Sequence, residues 1–241
     1  MRKRLLALPA AILAWSVIVA SPASASLTWD GDTTNGIGVF GSLECPSPGG
    51  IVSAAQTDGH GDIWRYTKAV GIDRCESKGI RIGGSNYTFQ NNSTYYLGWE
   101  SKLSTTSLAS GDFVVFQWKS YPNSSQNYPV LMTVSGGSAN LYYIEPGEVW
   151  NKIWSAPIAA FDWHRFAFAI HTSDSTTGGW IELRLDGAQQ TFINGSTRYT
   201  GRTWDTYNDP KWGAYDRDHP ENEIINRIDS LKLGTSYADV D

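Results

Sequence analysis

The feature that most constrains this chain is a series of short apolar or alternating segments, each bounded by residues that favour turns. The segments are rich in β-branched and aromatic residues, and none shows the period of a long amphipathic helix. Clusters of Gly, Asn, Ser and Pro separate them. The clearest are IWRYTKAV (63–70), TYYLGWESKL (94–103), DFVVFQWKS (112–120), VLMTV (130–134), ANLYYIE (139–145), WHRFAFAIHTS (163–173), GWIELRLDG (179–187), QQTFING (189–195) and IINRIDSLKLG (224–234). This pattern predicts an all-β fold, arranged as an antiparallel sandwich or barrel.

One pair of these segments carries a hairpin signal. Asp186 and Gly187 stand between two alternating runs, and an Asp-Gly pair favours the tight turn that joins antiparallel strands. Asp186 is therefore interpreted as a turn residue rather than a catalytic one, and 189–195 as the returning strand.

The N-terminus has the pattern of a secretory signal peptide. Arg2, Lys3 and Arg4 precede an apolar run over 5–20, and the small residues 23–25 supply a cleavage pattern. Pro9 interrupts the run, which is short for a membrane span. We expect residues 1–25 to be removed, leaving a secreted, extracellular protein of one domain over 26–241.

The net charge limits the classes of binding partner, and the cysteine content predicts a covalent cross-link. Loss of 1–25 removes three of the 19 Lys and Arg residues and none of the 24 Asp and Glu residues, leaving a formal charge of −8. We therefore expect neither a nucleic-acid partner nor membrane attachment, and we expect a monomer. Cys45 and Cys75 both remain, and an even pair in an oxidising compartment predicts a disulfide.

Three stretches place polar or cationic side chains at alternate positions. Arg74, Glu76 and Lys78 alternate around Cys75 and would share one face of a strand. Gln117 and Lys119 likewise alternate with Phe116 and Trp118, and Val114 is expected on the same side as those two aromatics. Lys211, Gly213 and Tyr215 form the third set. Such alternation also describes the wet face of any half-buried sheet, but three cationic sets together suggest a site for an anion.

The ordered motifs RCE (74–76), QWK (117–119) and PKWGAY (210–215) resemble those of the jelly-roll polysaccharide lyases. This group includes the heparin lyase I type, the endo-β-1,4-glucuronan lyases and, more distantly, the alginate lyases. The resemblance covers 27–241 and implies an antiparallel β-sandwich of concanavalin-like β-jelly-roll type. Many relatives carry histidine in the second motif where this chain has Lys119, which leaves the identity of the base open between Lys119 and Tyr215.

The implied activity is β-elimination in a polyuronate, most simply glucuronan. A base removes the proton on carbon 5, α to the carboxylate, and the glycosidic oxygen leaves carbon 4. Arg74 as a bidentate clamp and Gln117 as an amide donor suit stabilisation of the carboxylate. Tyr215 suits the acid or base role. Lys119 needs a pKa well below its reference of about 10.4 to act as a base.

Four further residues are candidates for binding the substrate. Lys211 would add positive charge, Glu76 would orient Arg74 or form a plain cross-strand ion pair, and Arg217 would contact an outer sugar. His60, flanked by glycines, could approach a ligand. Gly213, which has no side chain, would leave room for a sugar ring to approach the backbone of its strand.

No cofactor is required for this chemistry, although a structural calcium is known among these relatives. Carboxylates near both ends of the chain (Asp30, Asp58 and Asp229) offer the hard oxygen ligands that calcium prefers.

Two other functions remain open at the level of sequence. A glycoside hydrolase on the same sandwich would need two facing carboxylates, and the best local pair, Glu221 with Glu223, lies in a charged loop. A non-catalytic carbohydrate-binding module or lectin would use the same exposed aromatic residues. The limited number of cations favours an unsulfated acidic polysaccharide over heparin.

Overall fold

The computed structural model describes residues 26–46, 50–121, 126–216 and 218–241, so the predicted signal peptide lies outside it. The strands are β1 (Leu27–Asp30), β2 (Phe40–Glu44), β3 (Ile51–Ala55), β4 (Asp62–Lys68), β5 (Arg74–Ile82), β6 (Ser85–Asn86), β7 (Thr94–Leu103), β8 (Phe113–Tyr121), β9 (Val130–Ser135), β10 (Ser138–Glu145), β11 (Val149–Pro157), β12 (Trp163–His171), β13 (Gly179–Leu185), β14 (Ala188–Gln189), β15 (Tyr199–Gly201), β16 (Tyr207–Tyr215) and β17 (Ile224–Gly234). The helices of the described residues are short 3-10 turns at Thr33–Asn35, Ile37–Val39 and Tyr237–Asp239. None of these turns has the length and apolar character needed to cross a membrane.

The described strands form two antiparallel sheets. Sheet I has nine strands, with the order β14-β13-β12-β7-β17-β4-β3 and with β1 paired to β17 and β15 paired to β13. Sheet II has eight strands, with the order β11-β10-β9-β8-β16-β5-β2 and with β6 paired to β5. Aromatic side chains from both sheets meet between them, as where Trp99 of β7 stacks on Phe116 of β8 at 4.8 Å. The predicted antiparallel sandwich is confirmed.

Alternation along the strands of sheet II separates core from surface. Phe116 and Trp118 on β8 and Trp212 on β16 are fully buried. Each such aromatic side chain contributes about 2 to 3 kcal/mol through burial, so together they fix which face of each strand points inward. The residues that alternate with these aromatics along each strand, including Gln117 and Lys211, therefore point to the outer face of the sheet.

The Asp186-Gly187 turn is present, with φ of 51° and 78° at the two residues, as a tight hairpin turn requires. The predicted strand over 189–195 is wrong, because pairing with β13 ends at Gln189. Phe192 instead turns into the core, and its N–H donates to the carbonyl of Ser196 in a tight turn.

Val114 also departs from the prediction. The register of β8 against β9 and β16 shifts next to this residue, which indicates a β-bulge. Val114 consequently lines the cavity on the outer face, not the core beside Phe116 and Trp118.

The predicted disulfide is confirmed, and it joins two neighbouring strands of sheet II. Cys45 directly follows β2, and its partner Cys75 lies on β5 with its side chain in the core. Glu44 pairs with Glu76 across the same two strands. The end of β2 is therefore held against β5 both by strand pairing and by a covalent bond.

Candidate active site

Three neighbouring strands of sheet II bring the sequence motifs together. Lys211 on β16 lies opposite Gln117 on β8 and opposite Lys78 on β5. Arg74 and Glu76 share the outer face of β5 with Lys78, because side chains two residues apart point to the same side of a strand. Residues from all three motifs thus occupy one continuous surface.

Glu76 lies at the centre of this surface and is almost completely buried. Its Oε2 is 2.8 Å from Nζ of Lys211, and its Oε1 accepts a hydrogen bond of 2.6 Å from Nε2 of Gln117. Nη1 of Arg74 is farther away, 3.5 Å from Oε2. Glu76 therefore holds Lys211 and Gln117 more closely than Arg74, the residue that the sequence suggested it would orient.

A second carboxylate, Glu44 at the end of β2, completes the cluster. Its Oε2 accepts hydrogen bonds from Nη1 of Arg74 at 3.1 Å and from Nζ of Lys211 at 2.9 Å. Nζ of Lys78 lies 3.6 Å from its Oε1. Burial alone would raise the pKa of Glu44, but the hydrogen bond and charge of Lys211, with the charges of Lys78 and Arg74, hold this pKa below its ordinary value.

Reasoning from the sequence missed Glu44, although one signal pointed to it. Glu44 precedes Cys45, and the disulfide partner Cys75 stands between Arg74 and Glu76. A bonded cysteine pair brings the residues beside each cysteine close together. The predicted disulfide therefore implied that Glu44 lies near two of the motif residues.

Tyr215 closes the cluster at the end of β16. The guanidinium carbon of Arg74 lies over the Tyr215 ring, 4.0 Å from the ring centroid, which is the geometry of a cation–π contact. The backbones of the two residues also pair across β16 and β5. The Tyr215 ring is thereby fixed next to the cationic residues.

Gly213 serves a different purpose from the one its position suggested. The sequence suggested that its missing side chain would make room for a sugar ring. In the structure, a Cβ at Gly213 would lie 2.1 Å from the carbonyl oxygen of Cys75, and φ is +145°. The space is filled by the backbone of β5, so glycine is required there for strand packing.

Lys119 lies on the same outer face as Lys211, on the neighbouring strand β8. Burial lowers its pKa to about 8, and the positive charge of Lys211 acts in the same direction. Its Nζ donates to the carbonyl of Asn127 at 3.2 Å and lies 5.5 Å from the centroid of the Tyr128 ring. At a pKa of about 8, roughly a tenth of Lys119 is neutral and able to accept a proton at pH 7, and this fraction rises to about half at pH 8.

A cavity of about 470 Å³ connects these residues. It is lined by Glu44, Arg74, Asp112, Val114, Gln117, Lys119, Asn127, Tyr128, Leu131, Trp150, Lys211, Tyr215, Asp216 and Asp218. Trp150 forms an aromatic wall, 48% exposed, with the rings of Tyr128 and Tyr142 packed edge-on at 5.5 and 5.6 Å. Charged groups at one end and an exposed indole at the other suit a sugar acid.

A larger cavity of about 550 Å³ lies on the same face of sheet II. Its lining includes Tyr207, Asp209 and one cation, Lys78. Burial raises the pKa of Asp209, and the charge of Lys78 opposes that shift. The smaller cavity is lined by three cations, Arg74, Lys119 and Lys211, and by Tyr215, and it is therefore the candidate active site.

The segment after Tyr215 is anchored by a buried lysine. Lys68 on β4 has no exposed surface, and its Nζ donates to the backbone carbonyls of His219, Pro220 and Asn222 at 3.4, 3.4 and 2.6 Å. Burial lowers the pKa of Lys68, whereas the nearby charge of Asp216 opposes the shift.

Side chains add to this anchoring. Oδ1 of Asp216 contacts Nδ1 of His219 at 3.2 Å, and Nε2 of His219 contacts Oγ of Ser110 in the loop before β8 at 3.1 Å. These contacts tie the backbone that follows Tyr215 to both sheets.

Comparison with known proteins identifies the family. A family model described as polysaccharide lyase matches residues 62–232, well over half of the chain. The chain belongs to the polysaccharide lyase family. The lyase is thus an enzyme that acts on a polysaccharide, and it is neither a glycoside hydrolase nor a non-catalytic module. No curated protein sequence matches that of the lyase.

Solved structures resemble the lyase at low sequence identity. The endo-β-1,4-glucuronan lyase from the fungus Trichoderma reesei has a TM-score of 0.67 at 16% identity, over 90% of this chain and 98% of that chain. An alginate lyase from Corynebacterium sp. has a TM-score of 0.53 at 15% identity, over 78% and 82%. A family 7 alginate lyase has a TM-score of 0.52 at 15% identity, over 76% and 82%. These likenesses confirm the predicted β-jelly-roll fold.

Of two further candidate residues, His60 is not brought into the cavity of the lyase. Nε2 of His60 lies 3.2 Å from Oε2 of Glu100, and its ring stacks on Trp163 at 4.0 Å. Glu100 follows the core residue Trp99 on β7, so this contact lies on the outer face of sheet I. The second candidate, Arg217, lies outside the described residues.

Two of the three suggested calcium ligands, Asp58 and Asp229, lie close to His60. Ligand atoms of His60, Glu100 and Asp229 lie within 4.8 Å of one another, and Asp58 is 3.1 Å from His60. Asp30 instead accepts a hydrogen bond from the backbone of a nearby residue. Calcium prefers roughly six to eight oxygen ligands, and this set includes a ring nitrogen.

Its carboxylates also have cationic partners already. Asp58 pairs with Lys102 at 2.7 Å, and Glu100 pairs with Arg165 at 2.5 Å. The residues present fit calcium poorly.

Proposed function

We propose that the lyase cleaves a polyuronate by β-elimination and that glucuronan is its preferred substrate. The observation that carries this proposal is the cavity in which Arg74, Lys211 and Gln117 converge beside Lys119 and Tyr215. β-Elimination requires both stabilisation of a uronate carboxylate and groups that move protons. The name of the Trichoderma reesei relative, a glucuronan lyase, adds support at the level of substrate.

In the proposed reaction, Arg74 and Gln117 hold the uronate carboxylate while negative charge develops on it. The neutral amine of Lys119 takes the proton from carbon 5. The electrons of that C–H bond form the double bond between carbons 4 and 5, and the bond from carbon 4 to the glycosidic oxygen breaks. Tyr215 donates its phenolic proton to the leaving oxygen. Side chains fill every role, so the proposal requires no cofactor.

The charge of the cluster supports an unsulfated polymer. Arg74, Lys78 and Lys211 face the two carboxylates of Glu44 and Glu76. The five groups carry a net charge of about +1 when all are ionised, and the cavity is also lined by Asp112, Asp216 and Asp218. So limited a positive charge disfavours a sulfated chain such as heparin, which calls for a denser set of cations.

Ultraviolet absorbance tests the proposal, because the conjugated double bond of the product absorbs and the substrate does not. We expect absorbance to rise with glucuronan and to rise less, or not at all, with alginate and heparin. Tyr215→Phe should lower kcat by about 10² to 10⁴. Tyr96→Phe on sheet I is the matched control. Full elimination by Tyr215→Phe would exclude the assigned acid, and no absorbance with any polyuronate would exclude the reaction.

We further propose that the lyase acts outside the cell as a monomer. The N-terminal pattern of residues 1–25, the disulfide and a polymeric substrate support this compartment. N-terminal sequencing of protein from the culture medium should find a mature chain that starts near residue 26. A chain that stays inside the cell with its first residues intact would contradict the proposal.

A further inference from the structure

A carboxylate of the protein itself, that of Glu44, already lies among the cations of the cavity. Glu44 accepts hydrogen bonds from Arg74 and Lys211, and Lys78 lies within ion-pair distance. Its side chain is 32% exposed, whereas that of Glu76 is 2% exposed. Glu76 is buried beneath these cations and does not line the cavity, whereas Glu44 lies at the accessible surface and lines it.

We propose that the carboxylate position of Glu44 is the binding site for the uronate carboxylate of the substrate, and that the substrate displaces Glu44 from it. This inference rests on the proposed function and assigns Lys78 to the carboxylate site together with Arg74 and Lys211. A uronate carboxylate has the same charge and the same two acceptor oxygens as Glu44. It can therefore replace each charge-assisted hydrogen bond without leaving a cation unpaired.

The need for a resident carboxylate follows from burial and charge. Lys211 is 1% exposed and already pairs with Glu76 at 2.8 Å, but Arg74 and Lys78 bring two further positive charges to the same site. Cations that are removed from water are destabilising without a counterion. Glu44 supplies this second carboxylate in the free enzyme, and the substrate supplies it in the complex. A neutral polysaccharide carries no carboxylate to exchange, so Glu44 also selects against neutral chains.

The structure leaves room for the exchange by rotation of one side chain. The backbone of Glu44 is fixed by its pairing with Glu76 and by the adjacent disulfide of Cys45. Glu44, however, also borders a third cavity, separate from the two described above and with a volume of about 470 Å³. Pro46, Gly71, Ile72, Asp73 and Arg74 form the rest of the lining. Glu44 can therefore turn outward without any movement of β2.

Substitution of Glu44 by an isosteric neutral residue tests the exchange. Glu44→Gln removes the competing charge, so we expect Kd and KM for glucuronan oligosaccharides to fall about fivefold, the effect of a partly exposed ion pair. Calorimetry measures Kd, and steady-state kinetics measure KM and kcat, which should change less than twofold. Cello-oligosaccharides of equal length, which lack the carboxylate, should bind no better to the variant than to the wild type.

Two variants separate the exchange from a general effect of charge or of side-chain length. Glu182→Gln removes the same charge from an ion pair with Arg198 on sheet I and should leave Kd unchanged. Glu44→Asp keeps the charge but withdraws the carboxylate by one methylene, and it should also tighten binding. Weaker binding of the oligosaccharide by both Glu44 variants, with lower kcat, would overturn the proposal and make Glu44 a positioning residue for Arg74.

The outcome is separable from that of the proposed function. Tighter binding of glucuronan oligosaccharides by Glu44→Gln, in an enzyme that eliminates no polyuronate, would support the carboxylate site and reject the reaction. Elimination by the wild type with unchanged binding in Glu44→Gln would do the reverse.

Discussion

A lysine can act as a base near neutral pH only where its surroundings disfavour the ammonium form, and Lys119 lies in such surroundings. Burial and the neighbouring charge of Lys211 lower its pKa to about 8. The imidazole that many relatives have at this position needs no such shift, because its reference pKa is about 6.5. The cations that we propose to bind the uronate carboxylate would therefore also allow a lysine to act as the base.

The pH dependence of the lyase tests this role. Only neutral Lys119 accepts a proton, so kcat should rise with pH through about 8 and then level off. Lys119→Met should lower kcat by about 10² to 10⁴. Lys119→His should move the rise below about 6.5, because the burial and the charge of Lys211 that lower the pKa of Lys119 act on an imidazole in the same direction.

Lys152→Met, on β11 and outside the lining of the cavity, is the matched control. A profile of the same shape in Lys119→His and wild type would assign the base elsewhere, with Tyr215 the remaining candidate.

Much of this residue pattern was predictable, because alternation is a local property of a strand. The shared face of Arg74, Glu76 and Lys78 follows from sequence spacing alone. The contact between Glu44 and Lys211 does not, since the two are 167 residues apart and meet only through the pairing of β2, β5 and β16. Local patterns carry no information about such neighbours unless a covalent link, here the disulfide, reveals them.

Among the elements, the segment after β16 depends most on distant support. It carries Asp216 and follows directly on Tyr215, yet its carbonyls are satisfied by Lys68 from the opposite sheet. Buried carbonyls that lose their donor cost about 1 to 3 kcal/mol. The position of Tyr215, the proposed acid, is therefore coupled to a residue that does not line the cavity.

Lys68→Met tests this coupling. We expect the free energy of unfolding to fall by about 2 kcal/mol and kcat to fall with little change in KM, because Tyr215 loses its position while the carboxylate site persists. Lys68→Arg, which keeps several donors, should recover part of kcat. Loss of stability without loss of kcat would show that Lys68 supports the fold alone.

The disulfide is the second support at this scale, since it holds β2 against β5. Its loop spans a separation of 30 residues, for which chain entropy predicts about 3 to 4 kcal/mol of stability. Cys45→Ser with Cys75→Ser should lower the free energy of unfolding by that amount in urea titrations. A loss below about 1 kcal/mol would show that strand pairing alone holds β2 in place.

For the whole molecule, the sequence predicted the sandwich because turn residues and alternating segments recur along the entire chain. It placed β7 and β17 at their observed bounds. It missed β11 and mistook 189–195 for a strand, since short apolar runs do not distinguish a strand from a turn that buries one aromatic residue. His60 was likewise predicted to bind the substrate because glycines flank it, whereas the structure places it in a loop that contacts sheet I.

The acidic group around His60 is expected not to bind a structural calcium ion. Dialysis against a chelator should leave both the unfolding temperature and kcat unchanged, because Asp58 and Glu100 already pair with Lys102 and Arg165. Scanning calorimetry before and after dialysis is the measurement, with Asp229→Asn as the control. A lower unfolding temperature that calcium restores would assign a structural ion to this group.

The distribution of tryptophans gives the lyase an intrinsic optical reporter. Trp99, Trp118 and Trp212 are sealed in the core, whereas Trp150 is the exposed tryptophan of the described residues and forms the cavity wall. A water-soluble quencher should therefore extinguish the red edge of the emission spectrum first. An oligosaccharide that covers the indole should protect that same component, so occupancy of the cavity can be followed in solution without labelling and without turnover.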